Sequence, residues 1–485
     1  MPSAMLPTTA RRLPAPGLAA VAFLFAAPAT GLAQAATAWP EPLPADPVLR
    51  ALLEESLAAR PELRAAEATV AAERERIPQA GALPDPTLSL GIQNDGFKSI
   101  QVGKMETSYY QVMLSQPLPW PGKRSLREQV ARLSASGAGA GVARLRLGTE
   151  GDVRRAYLDL LVVRERQGLL DELERIWQRS SGTARARYEA GDGAQSDVLR
   201  AQLELLRIQQ RRAALRADEA ARLQALNRLR DHPLDEPIAS GAAVRDLPLP
   251  ALPDLDAAAA DAEARSPELA AARAASDQAG AQIRLAERER FPDLAVQVGI
   301  MPRGQLDPMW TASVSVGLPV WSGRKQSRAL AESEARAQAS ADGAEAVRQV
   351  LRERVAERRS ALAALLETLR VFRQGLLVQS KATSESTLAQ YRVGKVTFAS
   401  VLEANAGFLS DQEAYLLAAA DAQRIAIASA EVSLDPTGQP AAGGGMGGAA
   451  VPGAGAAGGG MSRGGTSSAA APPPAGGGGS SSPGM

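Results

Sequence analysis

The sequence predicts a mainly α-helical chain that carries two β-hairpins of membrane-crossing length and is built from two similar halves. Three observations predict it. Short landmarks recur in the same order along the chain, two pairs of segments alternate apolar and polar residues, and long stretches show helical periodicity. Composition agrees, because aromatics are only 4% of residues while alanine is abundant, a balance suited to long helices packed closely on one another.

The N-terminus has the three parts of a secretory signal: Arg11 and Arg12, an apolar stretch from Gly17 to Ala27, and Ala33-Gln34-Ala35 as a cleavage site. The stretch is shorter than the ~20 apolar residues a spanning helix needs, so residues 1–35 are expected to be removed rather than to anchor the chain. Nothing downstream is apolar for long enough to span as a helix, so any membrane crossing by the mature chain must use β-strands.

The mature body divides into a first half, 36–252, and a second half, 253–435. Pro61-Glu62-Leu63 recurs as Pro267-Glu268-Leu269, and Pro84-Asp85 recurs as Pro292-Asp293. Leu118-Pro119 leading to Gly122-Lys123-Arg124 matches Leu318-Pro319 leading to Gly323-Arg324-Lys325. Tyr188-Glu189-Ala190-Gly191 with Val198-Leu199 matches Tyr391-Arg392-Val393-Gly394 with Val401-Leu402. Each half therefore reads as helix, β-hairpin, long helix, tight turn and returning helix.

Hairpins are expected at 86–117 and 292–320. In the first, Leu88, Leu90 and Ile92 alternate with Thr87, Ser89 and Gly91, and Tyr110, Val112 and Leu114 alternate with Gln111 and Ser115. In the second, Leu294, Val296, Val298 and Ile300 face one way, as do Trp310, Ala312, Val314, Val316 and Leu318. Each segment is about the 9 to 11 residues a tilted strand needs to cross a bilayer, with Tyr109, Tyr110, Trp120, Trp310 and Trp321 near strand ends. A half-buried hairpin in a soluble sandwich carries the same alternation, so the strands alone leave both readings open.

The helical segments break that tie. From Leu126 to Arg187 and from Gln326 to Gln390 the period changes to that of a helix, and Leu362, Leu365, Leu369, Phe372 and Leu376 form a coiled-coil seam. An unbroken run of that length reaches ~90 Å, far more than a globular domain spans. Gly137, Gly139, Gly141 and Gly148 thin the first seam, where they either loosen the helix or admit close contact. The returning helices follow Gly191 and Gly394, with Leu199, Leu203 and Leu206 expected on one face. Pro61 and Pro267 sit where proline opens a helix, and Ser266 is an N-cap candidate.

Four strands cannot close a barrel, and an open sheet edge cannot face lipid. Three copies of four strands give twelve, an even number in the range of outer-membrane barrels, so a homotrimer is the simplest closure. Beyond the second half, 436–485 is almost entirely Gly, Ala, Ser and Pro with a single charge, Arg463, and is expected to be a disordered tail.

Chemistry has little to work with. Lysine and arginine (54) nearly equal aspartate and glutamate (53), which removes the basic excess that nucleic acid would favour. No cysteine means no disulfide, no thiolate metal site and no cysteine-borne lipid. The single histidine, His232, sits in the Asp231-His232-Pro233 linker, and no HExxH or Walker A pattern occurs. No enzyme activity, cofactor or bound metal is expected.

The duplicated Tyr-x-(Ala/Val)-Gly turn followed by (Asp/Ser)-Val-Leu resembles the outer-membrane efflux protein family, called TolC-like, over roughly Pro47 to Asp435. Ala80-Gly81-Ala82-Leu83-Pro84-Asp85-Pro86 and Gln116-Pro117-Leu118-Pro119-Trp120-Pro121-Gly122-Lys123 look most like the branch paired with heavy-metal exporters. The resemblance implies a trimeric channel, with a twelve-stranded β-barrel in the outer membrane and a coiled-coil α-barrel reaching into the periplasm. It implies a passive export conduit for heavy-metal cations or drugs, working with a periplasmic adaptor and an inner-membrane, proton-driven pump of the RND type.

It also maps the periplasmic entrance and adaptor contacts onto two tips, 188–198 and 391–401. These carry Tyr188, Gly191, Val198 and Leu199 on one side and Arg392, Val393, Gly394, Val401 and Leu402 on the other. An ordinary helix C-cap explains both glycines equally well, and the two roles are compatible. By resemblance, Tyr391 and Asp197 hold the entrance closed through an inter-helix hydrogen bond, and Glu403 belongs to an acidic ring inside it. Ser400 stands where an acid would strengthen that ring, and Val396 where a basic gate residue is expected. The rival readings, a periplasmic adaptor or a structural coiled-coil protein, leave the doubled hairpins unexplained.

Overall fold

The computed structural model describes residues 39, 42–43, 46–239 and 242–436. The expected signal segment 1–35 and, apart from Pro436, the expected tail 436–485 lie outside the described residues.

Helix α1 (Pro47–Ala59) starts on Asp46, whose carboxylate accepts from Val48 N at 2.9 Å, and α2 (Pro61–Gly81) follows. Their counterparts in the second half are α5 (Leu255–Arg265) and α6 (Pro267–Arg288). Pro61 and Pro267 each occupy the first helical turn, where the missing N–H costs nothing. Ser266 caps α6 by accepting from Leu269 N at 3.2 Å.

After α2 the chain forms β1 (Thr87–Gln93) and β2 (Tyr109–Leu118); after α6 it forms β3 (Leu294–Arg303) and β4 (Leu306–Val316). The two hairpins join through antiparallel β2–β3 pairing into one sheet of order β1-β2-β3-β4. Register places Leu90, Val112, Ile300 and Trp310 in one cross-strand row, and Leu88, Leu114, Val298 and Ala312 in another. Ser89, Met113, Gly299 and Thr311 form a row of the opposite face. One oily face therefore runs unbroken across all four strands. It is bare: Leu90 is 74% and Trp310 79% exposed.

The second hairpin runs further than the alternation suggested. Gly304, at φ +65°, makes a turn tight enough for Arg303 to pair with Leu306, which places Trp310 inside β4 rather than at its end and leaves Leu318 beyond it.

The sheet is pinned to the helices at one junction. Lys123, at the start of α3 (Lys123–Glu189), is buried and donates from Nζ to Asp293 Oδ1 at 2.7 Å and to Phe291 O at 2.8 Å. Asp293 Oδ1 also accepts from Trp120 N at 2.8 Å, and the Trp120 ring stacks on Phe291 at 5.4 Å. The end of β2 and the start of β3 are thus held side by side.

Helix α3 spans 67 residues without a break, about 100 Å at 1.5 Å per residue. Gly137, Gly139 and Gly141 do not break it, and no neighbour lies close to them among the described residues. The close contact falls instead at Gly151, where a Cβ would sit 2.4 Å from the Glu431 carboxylate that Arg144 and Arg155 hold. In the second half the long helix is interrupted. A π turn, Phe372–Leu376, separates α7 (Gln326–Val371) from α8 (Leu377–Arg392). The wider turn shifts the phase of the seam. Leu362 and Leu369 are fully buried, whereas Leu376 is turned outward.

The returning helices are α4 (Gln195–Leu229) and α9 (Phe398–Ala430). Helix α4 meets α3 through Ala201 and Ile208, so Leu199, Leu203 and Leu206 share a face that points away from the chain's own core. The core itself sits midway along α3, where Val153, Tyr157, Leu161, Leu170 and Trp177 join residues of α7 and α9.

Candidate functional site

The tips are two helix-turn-helix corners of matching geometry. Gly191 N donates to Tyr188 O and Asp192 N reaches back to Arg187 O; Gly394 N donates to Tyr391 O and Lys395 N to Gln390 O. These bonds close the helix ends in the Schellman pattern, which needs a left-handed residue, and the glycines supply φ of +81° and +75°. Gly193 follows at a spot where a Cβ would press on the Tyr188 backbone at 3.0 Å.

Between the corners the Tyr391 hydroxyl donates to Asp197 Oδ2 at 3.0 Å, joining the end of α8 to the first turn of α4. The ring is buried, edge-on to Phe398 at 5.2 Å, and Trp177 tilts onto Phe398 from α3. Burial and the neighbouring Asp197 carboxylate push the Tyr391 phenol up to about 12, so the hydroxyl keeps its proton and remains a donor. Arg187 lies over the other ring face, its Cζ 4.8 Å from the centroid. Its guanidinium donates to Tyr391 O at 2.6 Å and to Asp192 O at 2.8 Å. A cleft of about 410 Å³ opens beside this group, lined in part by Asp197, Arg200, Val396 and Thr397.

The remaining candidate residues fall around this cluster. Tyr188, Gly191, Arg392, Val393 and Gly394 are exposed on the corners. Val198 and Leu402 are half-buried, Leu199 is exposed, and Val401 is fully buried behind the turn. Glu403 is exposed on α9 and has no hydrogen bond or ion pair among the described residues, so the chain itself does not bring it to the Tyr391–Asp197 bond. Arg187, Gly193 and Phe398 were missed. Arg187 directly precedes the Tyr188 turn motif and its counterpart in the second half is Gln390, a mismatch that could have singled it out.

His232 lies just beyond α4 with Nδ1 2.9 Å from Glu236 Oε2, a linker contact. Among the described residues no helix is long and apolar enough to cross a membrane.

The chain matches the outer membrane efflux protein family over residues 52–231 and 258–429, one stretch in each half. It belongs to that family. It is an outer-membrane efflux protein, and the adaptor and scaffold readings are not favoured. The family is one of channel proteins, not enzymes.

Solved structures share the fold. The outer-membrane channel OprN superposes with a TM-score of 0.68 at 22% identity, covering 80% of this chain and 90% of its own. CusC, described in terms of folding and transmembrane channel formation, gives 0.69 at 18% identity, with 81% and 96% covered. The open state of the Neisseria gonorrhoeae outer-membrane channel MtrE gives 0.66 at 20% identity, with 81% and 89% covered. No curated protein sequence aligns significantly with this chain.

Proposed function

We propose that the channel works as a homotrimer in a tripartite export assembly, with its barrel in outer-membrane lipid and its tips docked on a periplasmic adaptor that links it to an inner-membrane pump of the RND type. One observation carries this reading. The four-stranded sheet leaves the outer edges of β1 and β4 unpaired among the described residues and leaves its oily face bare. Unpaired edges in hydrocarbon cost several kcal/mol per polar group, so further copies must supply the missing neighbours. Three copies close a twelve-stranded barrel. Leu199, Leu203 and Leu206 on α4 would find their cover against the same copies.

In this arrangement the rows through Leu90 and Leu88 face lipid, and the row through Ser89 and Gly299 lines the lumen. The Tyr391–Asp197 bond holds the periplasmic entrance closed, and Glu403 contributes an acidic ring. The exposed turns around Gly191 and Gly394 offer backbone that an adaptor can approach closely. Heavy-metal cations or drugs are the proposed cargo, selected by the pump and carried passively here.

Outer-membrane fractionation followed by native mass determination of the detergent-extracted protein tests the proposal. A trimer that dissociates on heating is expected. A monomer, or a species confined to the soluble or inner-membrane fraction, would discard it.

A further inference from the structure

We infer that Arg187 is the positioning residue of the closed entrance, a clip that fixes the second tip against the first and holds Tyr391 where its hydroxyl meets Asp197. The inference rests on the reading that this hydrogen bond closes the channel. Arg187 ends α3, in the last turn, where a cation is favoured by the helix dipole. Its Nη2 donates to Asp192 O at 2.8 Å, within its own hairpin, so the guanidinium is oriented before it touches anything else. Its Nη1 then reaches across to Tyr391 O at 2.6 Å, and the guanidinium plane covers the tyrosine ring.

Tyr391 is thereby fixed on three sides. Arg187 holds its carbonyl and one ring face, Phe398 meets the ring, and Asp197 receives the hydroxyl. Gly394 adds to the fit, because a Cβ there would lie 3.3 Å from Nη2. No carboxylate pairs with Arg187 among the described residues; carbonyl oxygens are its hydrogen-bond acceptors. Such a contact is directional and has little to hold it once the two hairpins move apart. The flat fork, with parallel donors aimed at two carbonyls, is something lysine cannot reproduce.

The device is present once among the described residues. At the equivalent position of the second half the Gln390 side chain bonds to Ser386 Oγ at 3.2 Å, on its own helix, and reaches no other hairpin among the described residues. Opening therefore requires release of two cross-hairpin bonds, from Arg187 to Tyr391 O and from Tyr391 to Asp197, and of one stacked ring, with no matching lock at Tyr188 among the described residues.

The test is single-channel conductance of the full-length protein in planar bilayers, comparing Arg187→Ala, Arg187→Lys, Tyr391→Phe, Asp197→Ala and the double variant Arg187→Ala/Tyr391→Phe. Arg187→Ala should raise the open fraction about fivefold, the effect of one lost hydrogen bond, and Arg187→Lys should fall between it and wild type. The double variant should exceed Tyr391→Phe by little, because Arg187 acts through that tyrosine. Wild-type conductance in Arg187→Ala alongside a leaky Asp197→Ala overturns the clip while leaving the gate intact. So do independent, multiplying effects in the double variant. If Tyr391→Phe and Asp197→Ala are both silent, the gate reading fails and takes the clip with it. Should Arg187→Ala yield no folded outer-membrane protein, Arg187→Lys decides alone: it keeps charge and stem, and wild-type conductance there overturns the proposal.

Discussion

Tyr391 and Tyr188 hold equivalent places in the two halves, yet Tyr391 is 1% exposed with its hydroxyl on Asp197, whereas Tyr188 is 47% exposed and its side chain bonds to nothing among the described residues. The duplication preserves the turn and not its contacts. Asp197 is matched by Ser400, Arg187 by Gln390, and Arg200 by Glu403, so the second copy of each partner is shorter, neutral or opposite in charge. Among the described residues, Tyr391 carries the cross-hairpin hydrogen bond and Tyr188 has no counterpart to it.

Removing that bond should open the entrance. Tyr391→Phe combined with Asp197→Ala deletes a hydrogen bond with a net worth of about 1 kcal/mol, or about a fivefold change in the closed-to-open ratio per protomer. Single-channel recordings are expected to show a higher resting conductance. The matching change Tyr188→Phe, which removes no contact, should leave it unaltered.

The two turn glycines should respond unequally to alanine. Gly191 lies in open space, so Gly191→Ala costs only the left-handed strain of about 1 kcal/mol. At Gly394 the same strain is joined by a clash with Arg187, and a total of about 2 kcal/mol is expected. Thermal unfolding of the detergent-extracted variants would order them, and equal losses would mean that the guanidinium moves aside freely.

Tyr391 should be visible in an alkaline titration. Its phenol is raised from 10.0 to about 12, so the folded state holds this proton more tightly than the unfolded chain. The stabilisation is complete below pH 10 and is lost as pH rises through about 12. Tyrosinate absorbance of wild type minus Tyr391→Phe should show one late transition near that value. A transition near 10 would place the ring in water.

Much of this fold was legible because its signals are periodic. Alternation in β3 and β4 sorts their residues between two sheet faces, the heptad steps through Leu362 and Leu369 report burial directly, and Pro61, Pro267 and Ser266 mark helix starts by their own backbone chemistry. The pairing of Tyr391 with Asp197 came from the family resemblance and not from the pattern of this sequence alone. What stayed hidden depends on relations between distant residues. The π turn at Phe372–Leu376 leaves no mark in composition, and the outward face of Leu199, Leu203 and Leu206 follows from how α4 leans on α3. Arg187 was missed because an arginine at a helix end is ordinary until a carbonyl from the other hairpin arrives beside it.

The junction between the halves offers a last test. Lys123 is 4% exposed at its side chain while Asp293 is 47% exposed, so the two ends of this ion pair are not equivalent. Asp293→Ala strands a buried ammonium with only the Phe291 carbonyl, and breaking a buried pair from that side costs about 3 kcal/mol. Lys123→Met removes the charge with the space kept filled, leaves a carboxylate that water can reach, and should cost about 1 kcal/mol. Since Asp293 also receives Trp120 N, its loss removes the clasp just beyond the β2–β3 ladder and should weaken barrel closure first. The fraction of protein migrating as a heat-modifiable oligomer on gels, measured against temperature, would rank the variants. If Lys123→Met proves the more damaging, the junction draws its strength from the lysine's carbonyl bond and not from the pair.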